Sequence, residues 1–256
     1  MDAEAIFPYS TYPKVQVNCP ICLSENVGIL RTDRYGYPVH YATCGCGMEY
    51  LTEQMTREGY DALYQGAYRA LVAARTGVTY AGRPHARLTG ELLRNACHMV
   101  FGRSRFPRVL DAGGSNGLVG REVCSSQLTV LDPAVQELPT DGTTIIHGYL
   151  EDPIRGEFDL AICYETVDHL TRPVDALANL RAVAPRLVLN YIDVDYMRKW
   201  RKVAVKIDHP MYWTRASMMA ACERAGWQAV WGLPLYTMHR GRRVPTSTLL
   251  ILTHKG

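Results

Sequence analysis

Two groups of residues in this chain have the types and spacing for chemistry. The first is a set of four cysteines. Cys19-Pro20-Ile21-Cys22 is followed, after twenty-one residues, by Cys44-Gly45-Cys46-Gly47. Thiolates in two tight turns suit tetrahedral zinc, and four of them close the coordination shell, so such a metal supplies folding energy rather than catalysis. The second pair is C-x-C rather than C-x2-C, which leaves His40 as an alternative ligand. A disulfide framework is the competing reading, disfavoured in a reducing compartment. The second group is Asp111, Gly113, Gly114, Ser115 and Gly117, with Asp132 about twenty residues further on. Glycines let a backbone turn take positive φ and lie close to a ligand. The N–H groups of a following helix face that ligand. An acid at the end of the next strand can hold a ribose diol. A dinucleotide site would show G-x-G-x-x-G beneath a pyrophosphate. Here Asp111 precedes the glycines, a poor match for pyrophosphate and a good one for a cationic amino acid moiety. The pattern points to an adenosine-containing cofactor.

These residues need elements to carry them. Val109-Leu110 reads as a short buried strand, and Leu118, Val119 and Val123 have helical spacing. Leu128-Thr129-Val130-Leu131 is the second strand, residues 143–147 the third, 158–164 the fourth and 187–191 the fifth. Helices are expected over 86–100, 175–183 and 215–225, the last with Thr214 as N-cap. Strand alternating with helix is the signature of a parallel sheet. Residues 228–231 and 246–253 complete the sheet as an antiparallel edge. Around the cysteines, residues 27–30 and 39–42 form a hairpin. Residues 52–75 read as one helix whose apolar positions recur at three- and four-residue steps, with Tyr60, Tyr64 and Tyr68 on one face. Tyr60 is expected to pack on a neighbour, and Tyr64 or Tyr68 to face a ligand as part of a lid. Met1 to Val17 reads as an extended arm.

From about Arg105 onward, the Asp111–Gly117 turn and Asp132 make the chain resemble class I S-adenosylmethionine-dependent methyltransferases. The resemblance implies a Rossmann-like α/β domain, a mainly parallel seven-stranded sheet with helices on both faces, preceded by a small zinc-ribbon-like β module. It also implies a cofactor site of Asp111, Gly113, Gly114, Ser115, Gly117, Asp132 and Pro133, with Tyr164 and Tyr68 alongside. Where the family usually places an acid against the adenine amino group, this chain has Tyr149. Leu150 is then expected to pack on the adenine, with Glu151 as the acidic substitute. The segment Glu165 to Leu170 resembles the family's strand-four ending, in which a His follows an acidic residue. Asp208-His209-Pro210-Met211-Tyr212-Trp213-Thr214 and Gly226-Trp227 are similar to the end of the same group. A cysteine cluster, a Tyr-rich helix and then this core resemble bacterial small-molecule methyltransferases, sugar-modifying ones included. Met55 to Tyr60 after the cysteines is similar to ribosomal RNA guanine-N methyltransferases that carry a zinc module.

Methyl transfer from a sulfonium is an in-line displacement that needs an oriented acceptor and exclusion of water. An oxygen or carbon acceptor also benefits from a base, and histidine titrates near neutrality. His169 is the first candidate and His209 the second, with Tyr212 or Tyr191 orienting the acceptor. The expected function is methylation of a small molecule, such as a nucleotide-linked sugar or glycan precursor. The alternatives are an RNA base methyltransferase that docks RNA with its zinc module, and a non-catalytic S-adenosylmethionine-binding or assembly protein.

Bulk properties bound these readings. The chain has 256 residues, 47% of them hydrophobic, 21% charged, with a net charge of +3. That is a globular composition, with too little positive charge to drive RNA binding by counterion release. The basic cluster of Arg240, Arg242 and Arg243 reads as a solvated turn or as a contact for an anionic substrate. No apolar run reaches spanning length and no targeting signal opens the chain, so the expected address is the cytoplasm. Cys97, Cys124, Cys163 and Cys222 sit singly in apolar runs and read as core residues. The expected organisation is residues 1–51 as arm and zinc module, 52–84 as helical lid and linker (the hinge at 76–84), and 85–256 as the S-adenosylmethionine-binding domain.

Overall fold

The computed structural model describes residues 3–76, 83–135, 142–199, 203–239 and 242–255. Arg240 and residues 77–82 of the expected linker lie outside the described residues, as do the side chains of Arg242 and Arg243.

The N-terminal part is more ordered than an extended arm. Helix α1 (Ala3–Ile6) and strand β1 (Lys14–Gln16) bracket buried Phe7 and Tyr9. Strands β2 (Ile29–Thr32), β3 (Pro38–Thr43) and β4 (Glu49–Leu51) form an antiparallel meander around the cysteines. The helix expected from residue 52 starts later. Glu53–Met55 is a strand, β5, because it pairs antiparallel with β1, Lys14 opposite Met55. That partner is about forty residues away, and a long-range ladder outweighs local helical spacing. Helix α2 (Arg57–Ala62) follows, then a π turn over Leu63–Ala67, then α3 (Tyr68–Thr76).

Helix α4 (Arg83–Phe101) leads into the main sheet. Its elements are β6 (Phe106–Ala112), α5 (Leu118–Val123), β7 (Cys124–Leu131), β8 (Thr144–Ile146), β9 (Leu160–Cys163), α6 (Pro173–Val183), β10 (Arg186–Ile192), α7 (Val194–Arg198), β11 (Met211–Tyr212), α8 (Arg215–Arg224), β12 (Trp227–His239) and β13 (Arg242–His254). Seven of these strands, all but β11, form the main sheet in the order β12-β13-β10-β9-β6-β7-β8. All neighbours from β10 to β8 are parallel, while β13 runs antiparallel to both β10 and β12. This is the expected mainly parallel, Rossmann-like sheet. The closing hairpin is longer than expected, and α7 had no sequence signal strong enough to be expected.

Successive strand residues feed opposite faces. Val109, Leu160, Ile162 and Val188 enter one core, and Leu110, Ala161, Cys163 and Leu187 the other. Burial on both faces is why these strands read as continuous apolar runs. Cys19, Cys44, Met48 and Tyr50 of the cysteine hairpin pack into that second core, beside Trp213 and Met218. Met211 and Tyr212 extend the hairpin sheet, pairing with Tyr50 and Glu49. All eight cysteines are free, and Cys97, Cys124, Cys163 and Cys222 are buried. Among the described residues, no helix is long and apolar enough to cross a membrane.

Candidate active site

The strand order reverses between β6 and β9, and ligands of open α/β sheets bind at that switch point, beyond the carboxyl ends of the strands. β6 ends in Asp111-Ala112, and the chain then folds back over its own carboxylate. Gly113 takes φ of 75° and donates its N–H to Leu131 O at 2.7 Å, which ties the turn to β7. A Cβ there would lie 2.3 Å from the Thr166 side chain. Gly117, φ 73°, begins α5 and donates to Gly114 O at 2.8 Å. Beneath the turn, Asp111 accepts the Gly120 N–H at 2.9 Å. Burial pushes the Asp111 pKa up to about 7, opposed by that N–H and reinforced by Asp132.

Asp132 also holds backbone. One oxygen accepts Ser115 N–H at 2.9 Å, and the other accepts Ala134 N–H at 2.7 Å. Each oxygen keeps a second lone pair for a hydroxyl donor. After β8, Tyr149 donates its hydroxyl to the Asp61 carboxylate, and the Arg57 guanidinium lies 4.4 Å over its ring while pairing with Asp152 at 2.6 Å. These contacts latch α2 to the loop that carries Leu150 and Glu151. Glu151 accepts the Thr171 N–H at 2.9 Å and the Thr171 hydroxyl at 3.2 Å on one oxygen.

One cavity of about 1460 Å³ is lined by Asp111, Gly113, Gly114, Ser115, Asp132, Pro133, Tyr149, Leu150, Glu151, Tyr164 and Tyr68, and by His169 and His209. Gly117 and Tyr212 do not line it. Gly117 shapes the turn from behind. Tyr212 is buried, accepts Lys206 N–H at 2.6 Å and donates to Lys206 O at 3.3 Å, so it fixes the loop before β11. Tyr191 is fully buried, with its hydroxyl 3.4 Å from Asp193.

The two histidines meet edge to face, ring centroids 4.4 Å apart. His169 Nδ1 is 2.6 Å from Asp208 O, and a carbonyl can only accept, so Nδ1 carries the proton and Nε2 keeps a lone pair. Tyr64 donates to the same carbonyl at 3.3 Å, and Tyr68 meets the His169 ring edge-on at 6.0 Å. Tyr60 is buried in the N-terminal core. Desolvation holds the His169 pKa below its usual value and the His209 pKa well below, the latter helped by nearby Lys206. His209 Nε2 is 3.0 Å from Lys206 Nζ and 3.4 Å from Asp208 Oδ2, so an ammonium and a carboxylate flank that nitrogen. His169, Asp208 and His209 bring donor atoms within 4.8 Å of one another. Lys206 already supplies that corner with a cation.

Asp168, which directly precedes His169 in the chain, also lines the cavity. It is 3% exposed, and one of its oxygens has no hydrogen-bond partner. Burial pushes its pKa up to about 8. Its adjacency to His169 was the sole signal available. Asp208 stands at the head of the segment that carries His209, and Lys206, three residues before His209, has no sequence signal of its own.

The four cysteine sulfurs lie within 4.8 Å of one another, with Cys19–Cys46 at 3.5 Å and Cys22–Cys44 at 3.4 Å. A disulfide needs about 2.05 Å. Tetrahedral Zn–S bonds of about 2.3 Å put sulfurs about 3.8 Å apart, so the donor set fits a metal. His40 points elsewhere, with Nδ1 3.1 Å from Glu53.

No family model and no curated protein matches the chain. Solved structures do share its fold. Magnesium protoporphyrin IX methyltransferase from Synechocystis PCC 6803, with bound S-adenosylmethionine, is 15% identical, with 76% of this chain and 94% of that one covered and a TM-score of 0.51. An S-adenosylmethionine-dependent methyltransferase from Clostridium acetobutylicum ATCC 824 is 8% identical, with 74% and 98% covered and a TM-score of 0.51. The methyltransferase domain of bacterial CtHen1-C is 15% identical, with 67% and 99% covered and a TM-score of 0.50. The fold is that of the class I S-adenosylmethionine-dependent methyltransferases.

Proposed function

We propose that this protein is an S-adenosylmethionine-dependent methyltransferase acting on a small molecule, such as a nucleotide-linked sugar or glycan precursor, with a structural zinc ion on Cys19, Cys22, Cys44 and Cys46. One observation carries the reading: the Asp111–Asp132 turn and His169 line a single cavity of about 1460 Å³. Sites for one ligand run to roughly 300–1,000 Å³, so this volume has room for a cofactor and an acceptor together. Bound there, S-adenosylmethionine supplies an activated methyl group on a sulfonium. The Gly113–Ser115 backbone and Asp132 bind its nucleoside, and Asp111 beneath the turn favours the cationic amino acid end. Glu151 and Leu150 border the adenine. Tyr64 and Tyr68 cover the acceptor side and exclude water.

His169 is the stronger base of the two histidines. Its Nδ1–H is spent on Asp208 O, which leaves Nε2 to take the acceptor's proton. His209 Nε2 faces the Lys206 ammonium, which occupies the lone pair a base would need. Isothermal titration with S-adenosylhomocysteine tests the reading first, and absence of binding removes it. Incubation with methyl-labelled cofactor and cell extract then tests the acceptor class. Label in the low-mass pool is expected, and label in polymeric RNA would replace the small molecule with a nucleic acid.

A further inference from the structure

We infer that the four-cysteine cluster is a positioning centre for the acceptor histidines, acting through strand β11; this rests on the zinc reading above. β11 is two residues long, and β4 is its only strand partner among the described residues. β4 follows directly from the second cysteine turn, which closes with Cys44 N–H donating to Met48 O at 2.7 Å. Both ends of β11 bond to that same stretch, and the Trp213 end is also tied to α7, Val194 N–H donating to Trp213 O at 2.9 Å. Leu51 N–H donates to Pro210 O at 2.9 Å, and the Thr214 hydroxyl donates to Gly47 O at 3.0 Å.

The two histidines hang from the two ends of this strand. His209 immediately precedes Pro210. On the other side Trp213, fully buried, donates Nε1–H to Val167 O at 3.3 Å, and Val167 opens the short turn that ends in His169. The cofactor side is built otherwise. β6 and β7 find their partners wholly within the seven-stranded sheet. A two-residue strand has no stability of its own, and a small hairpin closed by four cysteines depends on its metal. Loss of the metal therefore takes away the strand partner of β11 and loosens the geometry of His209 and His169, while the turn over Asp111 stays formed.

The test follows the imidazole 15N resonances of His169 and His209 in the full chain, before and after chelation of the metal, with an S-adenosylhomocysteine titration alongside. In the metal-free chain both imidazoles are expected to lose their folded shifts, while affinity for S-adenosylhomocysteine changes by less than about threefold. Added Zn2+ restores the shifts. Histidine resonances that do not move when the metal leaves overturn the inference. So does loss of S-adenosylhomocysteine binding together with the metal, since the module would then support the whole fold. A chain isolated without metal and unable to take up Zn2+ overturns it through the zinc reading. A metal-loaded chain that does not bind S-adenosylhomocysteine sinks the methyltransferase reading instead. Trp213→Phe provides a second route, deleting the N–H to Val167 O while the metal content stays unchanged. It is expected to shift His169 and leave His209 in place; an unmoved His169 overturns the link through Trp213.

Discussion

The two sides of the cavity are built in opposite ways. The proposed cofactor side is one continuous piece of chain, β6, a glycine turn and α5, closed by a carboxylate from the next strand. Its bonds are made mostly by backbone groups: Gly113, Ser115, Gly120 and Ala134 all donate main-chain N–H. The proposed acceptor side is assembled from side chains on three segments, Tyr64, His169, and the pair Lys206 and His209, gathered around the Asp208 carbonyl and carboxylate. A backbone-built site tolerates many side chains and keeps one ligand. A side-chain-built site can be re-specified by a few substitutions. This division suits a fold that hosts many acceptors.

The contrast can be broken at four places. The largest effect is expected from His169→Asn, which removes the proposed base. Methyl transfer to the acceptor falls about 100-fold or more, while S-adenosylhomocysteine affinity measured by calorimetry stays put. A parallel loss of both would erase the division between the sides. Next, Asp132→Ala opens the turn at Ser115 and removes the ribose acceptor. S-adenosylhomocysteine is expected to bind about 10- to 100-fold more weakly, with the His169 and His209 resonances unchanged.

Third comes a titration. The folded-state pKa of Asp111 is raised to about 7, against an unfolded value of about 3.9. The folded chain binds the extra proton, so this group's contribution to stability is complete below about pH 4 and is lost as pH rises through about 7. Asp111→Asn should therefore flatten the fall of Tm between about pH 5 and 8. A ligand with a cationic amino group favours the carboxylate, so S-adenosylhomocysteine binding near pH 6.5 is expected to release up to about one proton. Calorimetry in buffers of different ionisation enthalpy reads that release, and none at all would detach Asp111 from the ligand. The smallest effect belongs to Arg57→Ala. The Arg57–Asp152 pair is about half exposed, so its loss is worth at most about 1 kcal/mol and lowers Tm by no more than about 3 °C.

The same contrast explains what the sequence made legible. The cofactor side is local: strand, acid, glycines and helix occupy about sixteen consecutive residues, and each residue type states its own backbone requirement. The parallel sheet was legible for a similar reason, since its strands are buried on both faces. Glu53–Met55 was misread as helix because its partner, β1, lies in a stretch with no pattern of its own. Thr214 could be read as an N-cap, and it does form a capping box with Ser217. Its second bond, to Gly47 across the molecule, has no local signature. Asp168 stayed hidden because burial by distant elements, rather than its neighbours in the chain, gives it its character.

The π turn between α2 and α3 has a consequence for how this chain can vary. Tyr68 N–H reaches back five residues to Leu63 O, so the helix holds one residue more than a regular spiral would. Removing one residue from 64–67 would let the same Tyr68 N–H close a regular four-residue step on Leu63 O and keep the facing of α3, whereas one further inserted residue would rotate everything after it by roughly 100°. Such an insertion would swing Tyr68 off the His169 ring and turn a different flank of α3 to the cavity. Length in this short stretch is thus constrained in one direction: a deletion is absorbed, while an insertion would change the acceptor side more readily than most substitutions lining the cavity.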